Sequence, residues 1–406
     1  MKIIFFTDHF YPEISAPAAH IFDRCRIWVK KGHDVTVITN FPNYPDGKVY
    51  SGYSNKIRKW EKIEGIDVLR VKTFIAKNSG TYKRTLDYIS FTFSSFLNSI
   101  FLKKPDIVIS SSPHIFVPIG ALFFCFLRRV PHVLEVRDLW PESISATTNI
   151  KKASLIFKIF EILEIFIYKS SKEIIVFTKS FKQNLIQKKI SEKKINVVIN
   201  GANLELFKRV KDPIIDENID VKDKFVIGYF GTHGLSHGLN NVIEAAKILK
   251  NSNIVFLFIG DGAKKNELVK NSQKNNLKNI IFLEKKKRES LPNYWSLCSA
   301  GLIHLKDDDF FKTVIPSKIF ETMANGLPII YAGPDGDGAD LIKELDVGLI
   351  SGSKKPIQLV NNILTLENDK DTYNKLKKNS IKSSKIFSRD AQAENTFRVF
   401  EKIINK

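Results

Sequence analysis

Short apolar runs alternate with amphipathic, helix-length segments along the whole 406-residue chain. The first half reads KIIFFT, a helical pattern from about Ala16 to Lys31, DVTVIT, and later DIVISS, HVLEVRD, EIIVFT and INVVIN. Near-continuous Val, Ile and Phe runs of this length suit strands buried on both faces, and such strands taking turns with helices make a helix-covered parallel sheet. The series begins again at FVIGYFG and continues through NIVFLFIG, NIIFLE, AGLIHL and LPIIYAG. The repeat predicts two doubly wound α/β domains in tandem, residues 1–205 and 206–385, with the polar stretch KDPIIDENIDVKDK leading into the second. The last pattern, SRDAQAENTFRVFEKIINK within 386–406, reads as a long helix expected to pack back on the first domain.

A chain of this size, 43% hydrophobic, can bury two ordinary cores. Its formal charge is +20, of which +14 falls in residues 1–200. Such a field favours an anionic partner: nucleic acid, an anionic membrane surface or a phosphorylated substrate. Cys25, Cys125 and Cys298 are far apart in apolar segments, which argues against a disulfide framework or metal cluster and fits a reducing cytoplasm. The opening MKIIFFTDHF is interrupted by Asp8 and reads as a first strand, not a signal peptide. The uncharged run from Ile115 to Leu127 is well short of the ~20 residues a spanning helix needs.

Ligands of such sheets bind outside the carboxyl ends of the strands, which singles out four junctions. In FTDHFYPEISAPAAH, small residues at Ser15, Ala16, Ala18 and Ala19 open a helix; they admit a phosphate to its N-terminus or serve close packing on the sheet. In LEVRDLWPES, Arg137, Asp138 and Glu142 follow a buried strand, either for chemistry or as an Arg137–Glu142 ion pair capping the next helix. In YFGTHGLSHGL, Gly231, Gly234 and Gly238 can bring backbone N–H groups against a phosphate, with His233 and His237 hydrogen bonding to a diphosphate or sugar. Metal is the poorer use of this histidine pair, because no third ligand lies nearby and the glycines oppose a helix across them.

The fourth junction, HLKDDDFFKTVIPSKIFETMANG, holds a run at Asp307–Asp309 that reads as solvated, then a helix starting at Ser317. Lys318 can reach a phosphate over the helix start, and Glu321, one turn later, can accept from the vicinal hydroxyls of a ribose.

The tandem arrangement, the GTHGLSHGL loop, and PSKIFETMANGLPII followed by GDGADLI resemble the GT-B glycosyltransferases of family 4 over nearly the whole chain. FFTDHFYPE, NFPNYPDGKVYSGY and EVRDLWPES are similar to the branch that transfers N-acetyl-L-fucosamine in O-antigen and capsule assembly. The resemblance implies two Rossmann-like domains facing each other across a cleft and a metal-independent, retaining transfer without cofactor. The UDP-sugar donor would sit on the second domain and a saccharide linked to polyprenyl diphosphate on the first. Glu321 then matches the second glutamate of the family's pair, while the first falls on Thr313, a departure that suits a deoxy or N-acetylated sugar. The Arg and Lys that commonly clasp the diphosphate fall on Thr232 and His237, leaving Lys318 as their replacement. The glycine pair of the first loop is Ala16 and Pro17, and Asp138 falls near a histidine that faces the reacting sugar in many relatives.

The expected donor contacts are thus Ala16, Gly231, Thr232, His233, Gly260 at the end of NIVFLFIG, Thr313, Ser317, Lys318 and Glu321, with Asp138, His237 and Lys318 in catalysis. Two Phe- and Ile-rich segments flanked by lysines, 83–104 and 150–172, suit either core helices or helices lying in an anionic membrane interface. A lipid-linked acceptor would favour the interface and a peripheral place on the inner face of the plasma membrane. A nucleotide-sugar epimerase of similar architecture is a second enzyme reading. A nucleic-acid-binding protein is suggested by charge alone and lacks a basic recognition helix or interleaved aromatic pattern.

Overall fold

The computed structural model describes residues 1–75, 81–112, 114–142, 154–215 and 219–405. Ser143, residues 150–153 of the second lysine-flanked segment and residues 216–218 of the linker lie outside them. The chain forms two compact units, Met1–Ile199 with Gln392–Lys406, and Asn200–Ala391.

The first unit is built on an eight-stranded sheet: β1 (Lys2–Phe6), β2 (Asp34–Asn40), β3 (Arg58–Ile63), β4 (Ile66–Val71), β5 (Ile107–Ser112), β6 (His132–Val136), β7 (Glu173–Val176) and β8 (Ile195–Val197). The spatial order is β3-β4-β2-β1-β5-β6-β7-β8, and every pair is parallel except β3–β4. Period-two alternation divides β1 between two layers. Ile3 and Phe5 join Trp28 and Phe400 on one face, whereas Ile4 and Phe6 join Phe91 and Phe124 on the other. Helices Thr81–Ser99 and Phe116–Arg128 cover that second face, and helix Leu155–Ser170 continues the layer through a ring contact of Phe116 with Phe160 at 6.3 Å.

The β3–β4 hairpin interrupts the predicted strand-helix alternation. Its two-residue turn, Glu64–Gly65, has φ of 49° and 82°, the twist a tight hairpin needs, and β3 is an edge strand with alternate residues exposed. A polar edge strand joined through Glu-Gly gives a weak apolar signal, so the sequence series passed over it.

The second sheet contains β9 (Phe225–Phe230), β10 (Ile254–Ile259), β11 (Ile280–Leu283), β12 (Ala300–His304), β13 (Ile329–Ala332) and β14 (Gly348–Ser351) in the order β11-β10-β9-β12-β13-β14. All of these pairs are parallel. The strand order reverses at β9/β12, as it does at β1/β5 in the first unit, and these switch points are where crevices form in such sheets.

The chain passes into the second unit after Ile199, a few residues before the boundary expected at 205, and stays there to Ala391 instead of 385. Backbone bonds explain the shift: Ala202 N–H donates to Phe387 O at 2.9 Å, and Arg389 N–H donates to Ala202 O at 2.8 Å. The last helix, Arg389–Ile404, belongs to the first unit from Gln392 onward. There Trp28 Nε1 donates to Ala393 O at 3.1 Å, and the Trp28 and Phe400 rings meet at 5.3 Å. Phe400 is fully buried, so Phe400→Ala is expected to destabilise the first unit by about 3–5 kcal/mol. Urea unfolding of the full chain measures this, and an unchanged first-unit transition would contradict the packing.

Candidate active site

At the carboxyl end of β9 the chain turns at Gly231, whose φ of 142° disfavours any other L-residue. A Cβ here would fall 2.6 Å from Lys318 Cε and 2.9 Å from its Nζ, and a Cβ at Gly260 would overlap the Gly231 carbonyl. Glycine therefore makes room for a lysine. The expected N–H cradle is corrected in part: Gly231 N–H donates to Ile259 O and His233 N–H to Asp261 O, each at 2.8 Å, so both are spent on the neighbouring loop.

Lys318 stands at the second position of helix Ser317–Ala324, whose N-cap, Pro316, offers no side-chain bond. Its ammonium lies 5.3 Å from the centre of the Tyr229 ring, and the Tyr229 hydroxyl donates to Thr232 O at 2.8 Å, fixing the loop. A cation at a helix N-terminus is placed against the dipole. Burial lowers the Lys318 pKa, opposed by Glu321, while burial raises that of Glu321 against Arg288, Lys318 and Arg389. An added anion would relieve the strain on Lys318, whose charge burial disfavours.

Three histidines in or against this loop are neutral, and two of them, His233 and His237, feel the lysine's charge. His304 Nδ1–H donates to His237 O at 2.6 Å and its Nε2 accepts from Asn241 Nδ2 at 3.0 Å, which sets the tautomer and leaves no place for a second proton. Burial holds His304 at about 4. Burial, then Lys318, His304 and His233, depress His237 to about 3. Burial and Lys265 bring His233 to about 4. His233 is fully buried among Tyr229, Phe258 and Phe282, and both ring nitrogens are without a partner among the described residues. His237 thus offers a neutral N–H or lone pair and no charge. Among the described residues no group of three or more His, Cys, Asp or Glu is arranged to hold a metal ion.

Thr313 ends the short helix Asp309–Lys312, with its hydroxyl donating to Phe310 O at 2.9 Å. The following segment reaches the GDGADLI loop, where a Cβ at Gly338 would meet Val314 O at 3.2 Å. Gly231, Thr232, His233, His237, Gly260, Thr313, Ser317, Lys318 and Glu321 therefore all lie in loops or helix starts beyond the carboxyl ends of the second sheet. Ala16 belongs to the first unit, exposed at the start of helix Ala16–Lys30, where Ser15 Oγ caps Ala18 N–H at 3.3 Å.

The first unit carries its own charged constellation at its switch point. Glu135 is buried between Arg24 at 2.5 Å and Arg137 at 2.7 Å and accepts from Ser111 Oγ at 2.7 Å. Arg137 thus pairs with Glu135, not with Glu142, which binds Lys188 at 2.9 Å; the capping pair is corrected because Glu135 lies inside the sheet beside it. Asp138 follows, partly buried, its carboxyl pushed up by burial against the pull of Arg137.

Asp8, after β1, lies 3.0 Å from His114 Nε2, after β5, and the His114 ring stacks on Tyr88 at 3.6 Å. His9 Nδ1 lies 2.7 Å from Glu13, whose other oxygen accepts from Asn43 and Tyr44 N–H at 2.9 and 3.0 Å. Burial alone would raise Asp8, yet His9 and His114 hold it at about 2. Burial opposes charge on His9, yet Asp8 and Glu13 raise it to about 9. Sequence reasoning missed this group. The signal was the density of Asp8, His9 and Glu13 in one post-strand loop, eclipsed there by the small residues that follow.

The profile described as "Glycosyltransferase Family 4" matches residues 18–206, and "Glycosyl transferases group 1" matches residues 210–383. The chain is a GT-B glycosyltransferase. It is 27% identical over 337 residues to WcaI of Escherichia coli (strain K12), named for colanic acid biosynthesis, covering 80% of this chain and 82% of that one. The fold matches sucrose-phosphate synthase from Thermosynechococcus elongatus with a TM-score of 0.78 at 14% identity, covering 100% of this chain and 99% of that one. It also matches Anabaena HepE in complex with UDP, with a TM-score of 0.73 at 15% identity over 99% of this glycosyltransferase and 100% of HepE.

The neutral histidines give a pH signature. With folded values near 4 for His304 and His233 and near 3 for His237, against ~6.5 unfolded, only the unfolded chain takes up these protons between those limits. Their contribution is complete above pH ~6.5 and is lost as pH falls toward 4. Calorimetry of the full chain should show the second unit's Tm falling across this window and His304→Gln making the fall shallower. An equal slope in wild type and variant would contradict the assignment.

Proposed function

We propose that this glycosyltransferase moves a sugar from a UDP-sugar to a saccharide carried on polyprenyl diphosphate, in assembly of a bacterial surface polysaccharide of O-antigen or capsule type. The sugar is N-acetyl-L-fucosamine or a related N-acetylated deoxy sugar, and the enzyme works peripherally at the anionic inner face of the plasma membrane. The UDP and UDP-glucose complexes of HepE and the polysaccharide named for WcaI support the donor and acceptor classes. The observation that carries the reading is Lys318, seated under Gly231 at a helix N-terminus with Glu321 one turn on.

Breaking the anomeric C–O bond leaves negative charge on the departing diphosphate and positive character on the sugar ring. Lys318 and the free N–H groups at the start of helix Ser317–Ala324 receive the diphosphate, with His237 supplying a neutral hydrogen bond. Glu321 takes the ribose hydroxyls. Thr313, a hydroxyl in place of the family's carboxylate, faces the sugar and takes part in its selection. Asp138 stabilises the ring cation or orients the acceptor hydroxyl.

A panel of UDP-sugars offered with a lipid-linked GlcNAc acceptor, read by product mass, tests the donor; absence of transfer from every N-acetylated deoxy sugar would reject that part. Lys318→Ala should weaken UDP binding about 10- to 100-fold, as expected for a lost charge-assisted hydrogen bond, and Glu321→Ala should weaken UDP more than inorganic diphosphate. Unchanged UDP affinity in both variants would count against the site.

A further inference from the structure

Helices Thr81–Ser99, Phe116–Arg128 and Leu155–Ser170 form one covering layer on the first sheet, and their inner sides are filled by Phe91, Phe124 and Phe157. Their outer sides are apolar too. Phe93, Leu97 and Phe101 recur every fourth residue along and just beyond the first helix, and all three are exposed. Phe123, Phe126 and Leu127 are exposed on the second, and Leu155, Ile156, Ile159, Ile162 and Phe166 on the third. Phe126 is 89% exposed, Phe101 78%, Leu155 74% and Ile162 69%. The helices adjoin, with Phe96 and Phe123 rings 5.8 Å apart and Phe116 and Phe160 at 6.3 Å, so these side chains share one face. Single exposed apolar residues are ordinary, but a set this large on adjoining helices marks a surface meant to be covered.

The charge around the face identifies what covers it. Lys103, Lys104 and Arg129 are exposed where the first two helices end, and Lys158, Lys169 and Lys172 are exposed on or beside the third. Across 93–104, 123–129 and 155–172 the exposed acidic residue is Glu161 alone. A second copy of the same face would bring like charges together, whereas anionic head groups neutralise them. Among the described residues no helix is long and apolar enough to cross a membrane. Each of the three helices buries its inner side in the protein core, so the layer can enter only the head-group boundary with its outer side.

We infer that this three-helix face docks the enzyme on a bilayer surface containing anionic lipid, with Phe101, Phe126, Ile162 and Phe166 entering the acyl boundary and the lysines meeting head groups. Helix Leu155–Ser170 begins beyond the strand ends that carry Asp138, so Leu155 and Ile156 bring the bilayer to the edge where the proposed acceptor binds. The inference rests on the lipid-linked acceptor of the proposed function for its purpose, and on the exposed face alone for its evidence.

Flotation of the full chain with vesicles of phosphatidylcholine, with and without phosphatidylglycerol, tests it. The wild type should float with the anionic vesicles at low salt and be partly released by high salt or by phosphatidylcholine alone. Phe101→Glu combined with Phe126→Glu, both at exposed positions, should cut the floated fraction about ten-fold, whereas Ile357→Glu, an exposed position of the second unit, should not. A wild type that stays soluble, a double variant that floats undiminished, or a concentration-dependent dimer abolished by the same double variant would overturn the inference. UDP binding by the double variant should match wild type. Failure of UDP to bind even the wild type would strike the proposed function and leave the docking result standing.

Discussion

One ammonium sets the terms for the second unit. Lys318 is held at the N-terminal end of a helix, partly buried, under a glycine that has no side chain to spare and over the face of Tyr229. Each neighbour has a cost that the ligand-free fold does not recover: the dipole opposes the charge, burial opposes it, and Gly231 gives up conformational freedom. The nearby histidines are neutral chiefly by burial, to which this charge adds at His237 and His233. Lys318 helps to keep His237 neutral, and His304, locked between Asn241 and the His237 carbonyl, holds the loop that carries it. In the proposed function a diphosphate at Lys318 would relieve this conflict, which would make the site one built for its ligand and not for stability.

The first unit solves a different problem with buried ion pairs. Glu135, Arg24 and Arg137 are fixed inside the sheet, and Arg70 is buried while donating to Asn40 O at 3.0 Å and Tyr11 O at 2.6 Å. Such groups contribute little net stability but hold loop geometry, because each guanidinium must find its acceptors once water is excluded. Together with Glu13 across Asn43 and Tyr44, they tie the loop after β1 to the loop after β2.

The parallel sheets were legible because buried strands leave unbroken apolar runs, and KIIFFT or NIVFLFIG admits few other readings. The β3–β4 hairpin was not, since a polar edge strand has only one buried neighbour to satisfy. At the site, Lys318 and Glu321 stood out as charges on an otherwise apolar helix start, and both lie beyond the strand ends as expected. The glycine loop misled in one respect: sequence shows that Gly231 can expose an N–H, but only the fold shows that Ile259 O consumes it. Likewise the partner of Arg137 was hidden because Glu135 sits inside an apolar run, where a lone carboxylate looks like an interruption. The Asp8–His114 pair joins residues 106 positions apart and becomes visible only when β1 and β5 are neighbours.

The direct measurement is the titration of the Lys318 ammonium by NMR, with selectively labelled lysine and a Lys318→Arg variant for assignment, in the free protein and with saturating UDP. The account predicts a pKa below the ordinary lysine range in the free protein and a rise when UDP binds. An ordinary value without ligand, or a lowered value that UDP leaves unmoved, would contradict the claim that this charge waits for a diphosphate.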